Sequence, residues 1–175
     1  ALINVVCPEL MVGGEDQDSG IRDLLKSADV LVTGTGLGRS DWSREMLRAC
    51  LRSGGPVVID ADGLNALVSA KEWWKALPPQ TILTPHPGEM ARLMGGQATA
   101  KEIQADRENV VHRMAAEWNA VVVLKGAFTV VASPDGRVMV LPFANPALST
   151  AGSGDVLAGA IVGLRAQGME AFEAA

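Results

Sequence analysis

The residues best placed for chemistry lie in Asn145-Pro146-Ala147-Leu148-Ser149-Thr150-Ala151-Gly152-Ser153-Gly154-Asp155-Val156-Leu157-Ala158-Gly159. Ala151–Gly154 is a small, glycine-rich turn that opens straight into an apolar helical run over Val156–Leu164. Backbone N–H groups at such a helix start form an anion hole, and glycine lets a phosphate approach the chain closely. Asp155 falls in the first turn of this helix. An early aspartate commonly does no more than complement the helix dipole. Here the Gly/Ser approach and the small residues Ala158, Gly159 and Ala160 behind it favour a second role. A base beside an anion hole is what phosphoryl transfer to a hydroxyl requires.

Four further segments carry polar groups where strands end. Leu124-Lys125-Gly126-Ala127-Phe128-Thr129 reads as a strand end, a turn and a strand start. It is either a tight turn with a solvated lysine or part of the edge at which open α/β sheets bind ligands. Thr33-Gly34-Thr35-Gly36-Leu37-Gly38 sets three glycines between a strand and a helix capped near Ser40 or Asp41. That suits a phosphate or dinucleotide, although it is not GxGxxG. Asp60 and Asp62 follow a strand end within Val58–Asn65. Paired acids there either hold Mg²⁺ through water, orient a base, or serve as a helix cap and a charged loop. In Thr84-Pro85-His86-Pro87-Gly88-Glu89 two prolines brace His86, which divides the reading evenly between an incidental loop histidine and a functional one. His112, in the middle of a helical pattern, reads as structural or solvated.

The elements that must position these groups alternate. Strands are expected at Leu2–Cys7, Val30–Val32, Pro56–Ile59, Thr81–Leu83 and Val121–Leu124, with Thr129–Ala132 and Arg137–Leu141 joined by the hairpin turn Ser133-Pro134-Asp135-Gly136. Helices are expected at Ile21–Ser27, Asp41–Ser53, Glu89–Leu93, Lys101–Asn119 and Gly154–Gln167. This is an α/β pattern with a mostly parallel sheet, and near-continuous apolar strands such as Val121–Leu124 require helices on both faces. The 175 residues form one domain, with an apolar fraction of 48% that predicts a sizeable core. The formal charge of −5 and the lack of a basic cluster give no case for a nucleic-acid or membrane partner. Cys7 and Cys50 stand outside any CxxC and read as reduced thiols, which places the chain in the cytoplasm. There is no GxxxxGK[ST], GxSxG or HExxH, so a P-loop NTPase, an α/β-hydrolase and a zincin are excluded.

Taken in order, Gly34–Gly38, Val57–Leu67, Thr84–Leu93, Val123–Ala132 and Asn145–Gly159 resemble the ADP/ATP-dependent NAD(P)H-hydrate dehydratase family. The resemblance implies a ribokinase-like three-layer sandwich with helices on both faces of a mostly parallel sheet. It implies a substrate of NADH or NADPH hydrated on the nicotinamide ring, with ADP or ATP and Mg²⁺ as cofactors. Phosphorylation of the added hydroxyl and loss of phosphate then restore the dihydropyridine. By the same resemblance Lys125, Gly126, Ala127, Phe128 and Thr129, with Gly152, Ser153 and Gly154, bind the adenine nucleotide. Gly36, Gly38, His86 and Asp155 contact the hydrated cofactor, and Asp155 is the base. Asn145 is placed with the substrate, and Asn145, Asp60 and Asp62 support the site or hold magnesium through water. Thr35 stands where the family usually has proline. Family domains extend beyond both Ala1 and Ala175, so the domain over 1–175 is expected to be incomplete at both ends. A homo-oligomer and a fused or partner epimerase are expected as well. The alternatives are a ribokinase-like vitamin-precursor kinase and a non-catalytic nucleotide-binding fragment.

Overall fold

The computed structural model describes Leu25 and residues 27–175. The strand expected at Leu2–Cys7, Cys7 itself and most of the helix expected at Ile21–Ser27 lie outside the described residues. Leu25 and Ser27 are helical.

Six strands make one sheet in sequence order: β1 (Leu31–Thr33), β2 (Val57–Ile59), β3 (Ile82–Leu83), β4 (Val121–Leu124), β5 (Val130–Ala132) and β6 (Val138–Val140). β1 to β4 are parallel, β5 runs antiparallel to β4, and β6 turns back antiparallel to β5. The parallel strands need crossovers, and the intervening segments supply them as helices. These are α1 (Asp41–Arg52), α2 (Ala61–Leu67), α3 (Pro87–Leu93), α4 (Ala100–Ala105) and α5 (Arg107–Trp118). After β6 come α6 (Ser153–Ala166) and the short α7 (Ala171–Ala174).

Side-chain alternation along the strands splits the apolar residues into two cores. Val57, Ile59, Leu83, Val122 and Leu124 face one side and meet Leu47, Leu64, Met90, Val111 and Trp118 from α1, α2, α3 and α5. Val58, Ile82, Val121, Val123 and Val131 face the other side and meet Ala158 and Ile161 of α6 with Ala171 and Ala174 of α7. Helices therefore cover both faces, which is the three-layer arrangement expected. β2 and β4 are buried at every position, as their unbroken apolar runs require. β6 behaves differently: Val138, Met139 and Val140 are all exposed. The hairpin turn forms as expected, with Gly136 at φ +95° donating its N–H to the Ser133 carbonyl at 3.1 Å.

One expectation needs correction, and two further segments take a definite form. The helix expected at Lys101–Asn119 is two helices, because Asp106 leaves helical geometry at φ −140°, ψ 52°. Aspartate competes with its own backbone inside a helix and favours the start of one, and Asp106 Oδ1 accepts from Asn109. The segment after Asp60, for which a helix cap and a charged loop was one reading, is the helix α2, with Asp60 at its N-cap position and no side-chain capping bond. Met169–Ala175 is helical only over Ala171–Ala174. Gly168, at φ +89°, ends α6 with Met169 N–H returned to the Leu164 carbonyl, and α7 starts afresh with Glu170 as its cap.

Candidate functional site

The carboxyl ends of β2, β3 and β4 converge, and charged side chains stand on each. Asp60, the residue after β2, is almost fully buried, with 1% of its surface exposed. Lys125, the residue after β4, reaches it with Nζ 2.6 Å from Asp60 Oδ1. The same ammonium lies 3.9 Å from Oε2 of buried Glu89, which accepts the His86 N–H at 2.8 Å. Backbone bonds hold these ends in place. Thr84 N–H donates to the Ile59 carbonyl at 3.2 Å and Lys125 N–H to the Pro85 carbonyl at 2.8 Å. Two buried carboxylates thus share one ammonium at the sheet edge.

The amino end of α6 arrives over this pair. Its N-cap is Gly152 at φ +88°, a conformation glycine adopts freely, and no side chain caps the helix. Ser153 N–H donates to the Thr150 carbonyl at 3.3 Å, so it is the N–H groups of Gly154 and Asp155 and the helix dipole that are offered to an anion. A Cβ on Gly154 would sit 3.4 Å from both Asp60 Oδ2 and Lys125 Nζ. The helix start, Asp60 and Lys125 thereby form one constellation, with Asp155 half-buried in the next position. Gly154→Val adds two methyls beyond that Cβ, so nucleotide-dependent thermal stabilisation should vanish while the apo protein still folds. A variant stabilised by ADP as the parent is would move the anion hole elsewhere.

The glycine loop after β1 is wedged against α2. A Cβ on Gly34 would lie 1.8 Å from the Asp60 carbonyl oxygen, so only glycine fits there. At the other end of the loop Gly38 N–H donates to Asp62 Oδ2 at 3.1 Å. Gly36, at φ +66°, is exposed at the crest. Asp60 and Asp62 stand two positions apart in sequence but serve different partners, Lys125 for one and the loop for the other. Among the described residues no group of three or more His, Cys, Asp or Glu could hold a metal ion. Each acid already has a protein partner, so a magnesium ion here would be reached by Asp60 or Asp62 through water.

His86 caps α3, its Nδ1 accepting from Gly88 N–H at 3.0 Å and Glu89 N–H at 3.3 Å. The acceptor role of Nδ1 puts the proton of the neutral ring on Nε2, which lies 3.6 Å from Glu89 Oε1 on a half-exposed side chain. The proline bracing therefore sets a donor at the edge of the site. Asn145 is not drawn into it. Its Oδ1 accepts from Ala147 N–H at 3.0 Å and caps the exposed turn Pro146–Leu148. His112 is exposed, one of the two readings allowed for it.

The turn Gly126–Thr129 is built over Arg107, whose guanidinium donates to the Leu124 carbonyl at 2.6 Å and to the Lys125 carbonyl at 3.4 Å. Burial pulls this guanidinium below its usual pKa. Phe128 sits at φ +54° and is half exposed, and Ala61, following Asp60, sits at φ +47°. Left-handed backbone at non-glycine residues is held only where surroundings enforce it, and such strain gathers at functional sites. Glu89 and Arg107 escaped the reading from sequence. Glu89 had a signal, since a capping residue followed three places later by Glu is a capping box. Arg107 had none, because its partners are backbone carbonyls of another element. Cys50 is buried and free, and burial pushes its thiol pKa up against the opposing Thr33 hydroxyl, so it is no nucleophile.

An uncapped, glycine-led helix followed by a carboxylate, at the carboxyl edge of a mostly parallel three-layer sheet, defines a ribokinase-like protein. A ribokinase-like superfamily protein of Enterococcus faecalis has the same fold, with a TM-score of 0.74 at 26% identity over 99% of this chain and 61% of its own. The family described as NAD(P)H-hydrate dehydratase matches residues 1–175, and the chain belongs to that family. It is similar to the bifunctional NAD(P)H-hydrate repair enzyme of Moorella thermoacetica, at 43% identity over 172 residues, 97% of this chain and 32% of that protein. It is also similar to the ADP/ATP-dependent NAD(P)H-hydrate dehydratase of Bacillus subtilis, co-crystallised with ATP/Mg²⁺, with a TM-score of 0.70 and 32% identity over 94% of this chain and 57% of that one. The chain thus spans about a third of the first relative and somewhat over half of the second.

Proposed function

We propose that this chain carries the nucleotide-dependent dehydratase chemistry that returns hydrated NADH or NADPH to NADH or NADPH. The observation that carries the reading is the meeting of the uncapped α6 start at Gly154 with the Asp60–Lys125 pair. The terminal phosphoryl group of ADP or ATP rests against the N–H groups of Gly154 and Asp155. The substrate's ring hydroxyl faces Asp155, whose carboxylate takes its proton as the oxygen attacks phosphorus. One P–O bond forms, and the bond to the leaving AMP or ADP breaks. The ring nitrogen then expels the phosphate, the neighbouring ring carbon loses a proton, and the dihydropyridine is restored. The positive end of α6 offsets charge gathering on the transferred group.

The turn Lys125–Thr129 holds the adenine nucleotide through its backbone, because the Lys125 side chain is already engaged by Asp60. Gly36, Gly38 and His86 border the hydrated nicotinamide. Magnesium enters with the nucleotide phosphates rather than on protein carboxylates. We place the chain in the cytoplasm, a reading supported by the free buried thiol of Cys50. Among the described residues no helix is long and apolar enough to cross a membrane. The exposed edge strand β6 supports a homo-oligomer or an additional covering segment. A fused or partner epimerase completes the reading.

The test is absorbance-monitored turnover of hydrated NADH with ADP, run beside His86→Ala. Recovery of the reduced-nicotinamide band only when nucleotide is present is the expected result. His86→Ala should raise the KM for the hydrate and leave that for ADP unchanged. A stable phosphorylated product from a hydroxymethyl-pyrimidine or hydroxyethyl-thiazole, with no action on the hydrate, would instead identify a vitamin-precursor kinase.

A further inference from the structure

A cavity of about 310 Å³ opens beside Gly38, on the α1–α3 side of the glycine loop. It begins at Gly38 and Asp62 and follows α2 down to Ser69. At a rise of about 1.5 Å per residue, that is roughly 10 Å away from the sheet edge. Its charged lining is Arg39, Arg44, Arg92 and the single carboxylate of Asp62. Three guanidinium groups in one cavity are out of keeping with a chain of formal charge −5. Their pairing is incomplete. Arg39 Nε is 3.5 Å from Asp62 Oδ1 with the side chain largely exposed, while Arg44 pairs with Asp41. Arg92 Nε donates to Asn65 Oδ1 at 2.9 Å, and Arg92 has no acidic partner among the described residues. That bond fixes the plane of the Arg92 fork and leaves its outer N–H groups available.

Planar, oriented guanidinium groups beside amide and hydroxyl side chains are the chemistry that recognises phosphate oxygens. The α6 start serves the phosphoryl group being transferred and offers nothing to the phosphates of the other ligand. A dinucleotide at Gly38 brings its own anions to this side of the loop. We propose that the Arg39–Arg44–Arg92 cavity is a phosphate subsite for the hydrated dinucleotide. This rests on the dehydratase reading for the identity of the ligand. The phosphate bound is either the bridging pyrophosphate, present in both substrates, or the 2′-phosphate, present only in the NADP form.

The experiment compares Arg44→Gln, Arg92→Gln and Ser69→Glu with the parent chain, using hydrated NADH and hydrated NADPH at saturating ADP. All three positions lie at the surface, and circular dichroism checks that each variant folds. Expected is a rise in KM for the dinucleotide of about tenfold per lost charged contact, with kcat and the KM for ADP little changed. An equal rise for both substrates identifies the pyrophosphate, and a rise confined to the NADPH hydrate identifies the 2′-phosphate. Unchanged KM values for both, or an equal rise for ADP, overturn the subsite. NADH and NADPH binding followed by nicotinamide fluorescence gives a readout independent of turnover. If the parent shows no ADP-dependent turnover, the dehydratase reading fails by itself. Weaker NADPH binding in the arginine variants would still establish the subsite, and unaltered binding would remove it.

Discussion

Asp155→Asn should lower turnover of the hydrated cofactor by about 10²–10⁴-fold, the usual worth of a positioned general base. The change is nearly isosteric. It keeps a short polar side chain in the first turn of α6 and leaves Gly152 and Gly154 untouched, so the anion hole survives. Thermal stabilisation by ADP should therefore persist, because ligand binding to the native state raises apparent stability whether or not chemistry follows. The split between retained binding and lost turnover is the informative result. An aspartate that only complements the helix dipole contributes roughly 0.3–1 kcal/mol to stability and nothing specific to rate. Parent-like turnover in Asp155→Asn would return the residue to that role.

Lys125→Met should be the most destabilising single change at the site. Asp60 is 1% exposed and Glu89 6%, and the Lys125 ammonium stands within 2.6 Å of the first and 3.9 Å of the second. Methionine fills most of the space but leaves two buried carboxylates facing each other without a cation. Removing one partner from a buried ion pair costs about 3–5 kcal/mol, because the stranded charge keeps its desolvation penalty. Urea denaturation should show a lower midpoint at nearly constant slope. Adding Asp60→Asn to Lys125→Met should recover part of the loss, since the asparagine amide carries no charge to strand. A single Lys125→Met variant as stable as the parent would mean that the acids are solvated in solution, and the compact edge described above would not hold.

Much of this arrangement is legible in the chain because the signals are local. The unbroken apolar runs Val57–Ile59 and Val121–Leu124 demand helices on both faces, and they have them. Ser40, Gly136 and the turn before Asp155 announce a cap, a hairpin and a glycine-led helix start through residue types with few other uses. What escapes is set by partners distant in sequence. That Asp60 meets Lys125 while Asp62 turns to Gly38 depends on strand order, and spacing within Val58–Asn65 cannot reveal it. Arg107 is recognised only once Leu124 and Lys125 lie above it. The break at Asp106 shows a further difficulty, since apolar periodicity on either side continues in phase and only one residue's backbone preference interrupts it.

The two faces of the sheet are not fastened alike. Trp118, Leu64, Met90 and Ile103 fill one side, whereas α6, fourteen residues long, is held by Ala158 and Ile161 alone among its fully buried positions, with Val156 at 65% exposure. Small side chains bury little area, so detaching α6 costs less than opening β2 or β4. The helix with Gly152 at its N-cap is thus fastened less firmly than β2 or β4. On the function proposed above, a phosphate at its amino end is a clasp between α6 and the sheet edge at Asp60 and Lys125, so that occupancy of the site and the local order of that layer become one equilibrium.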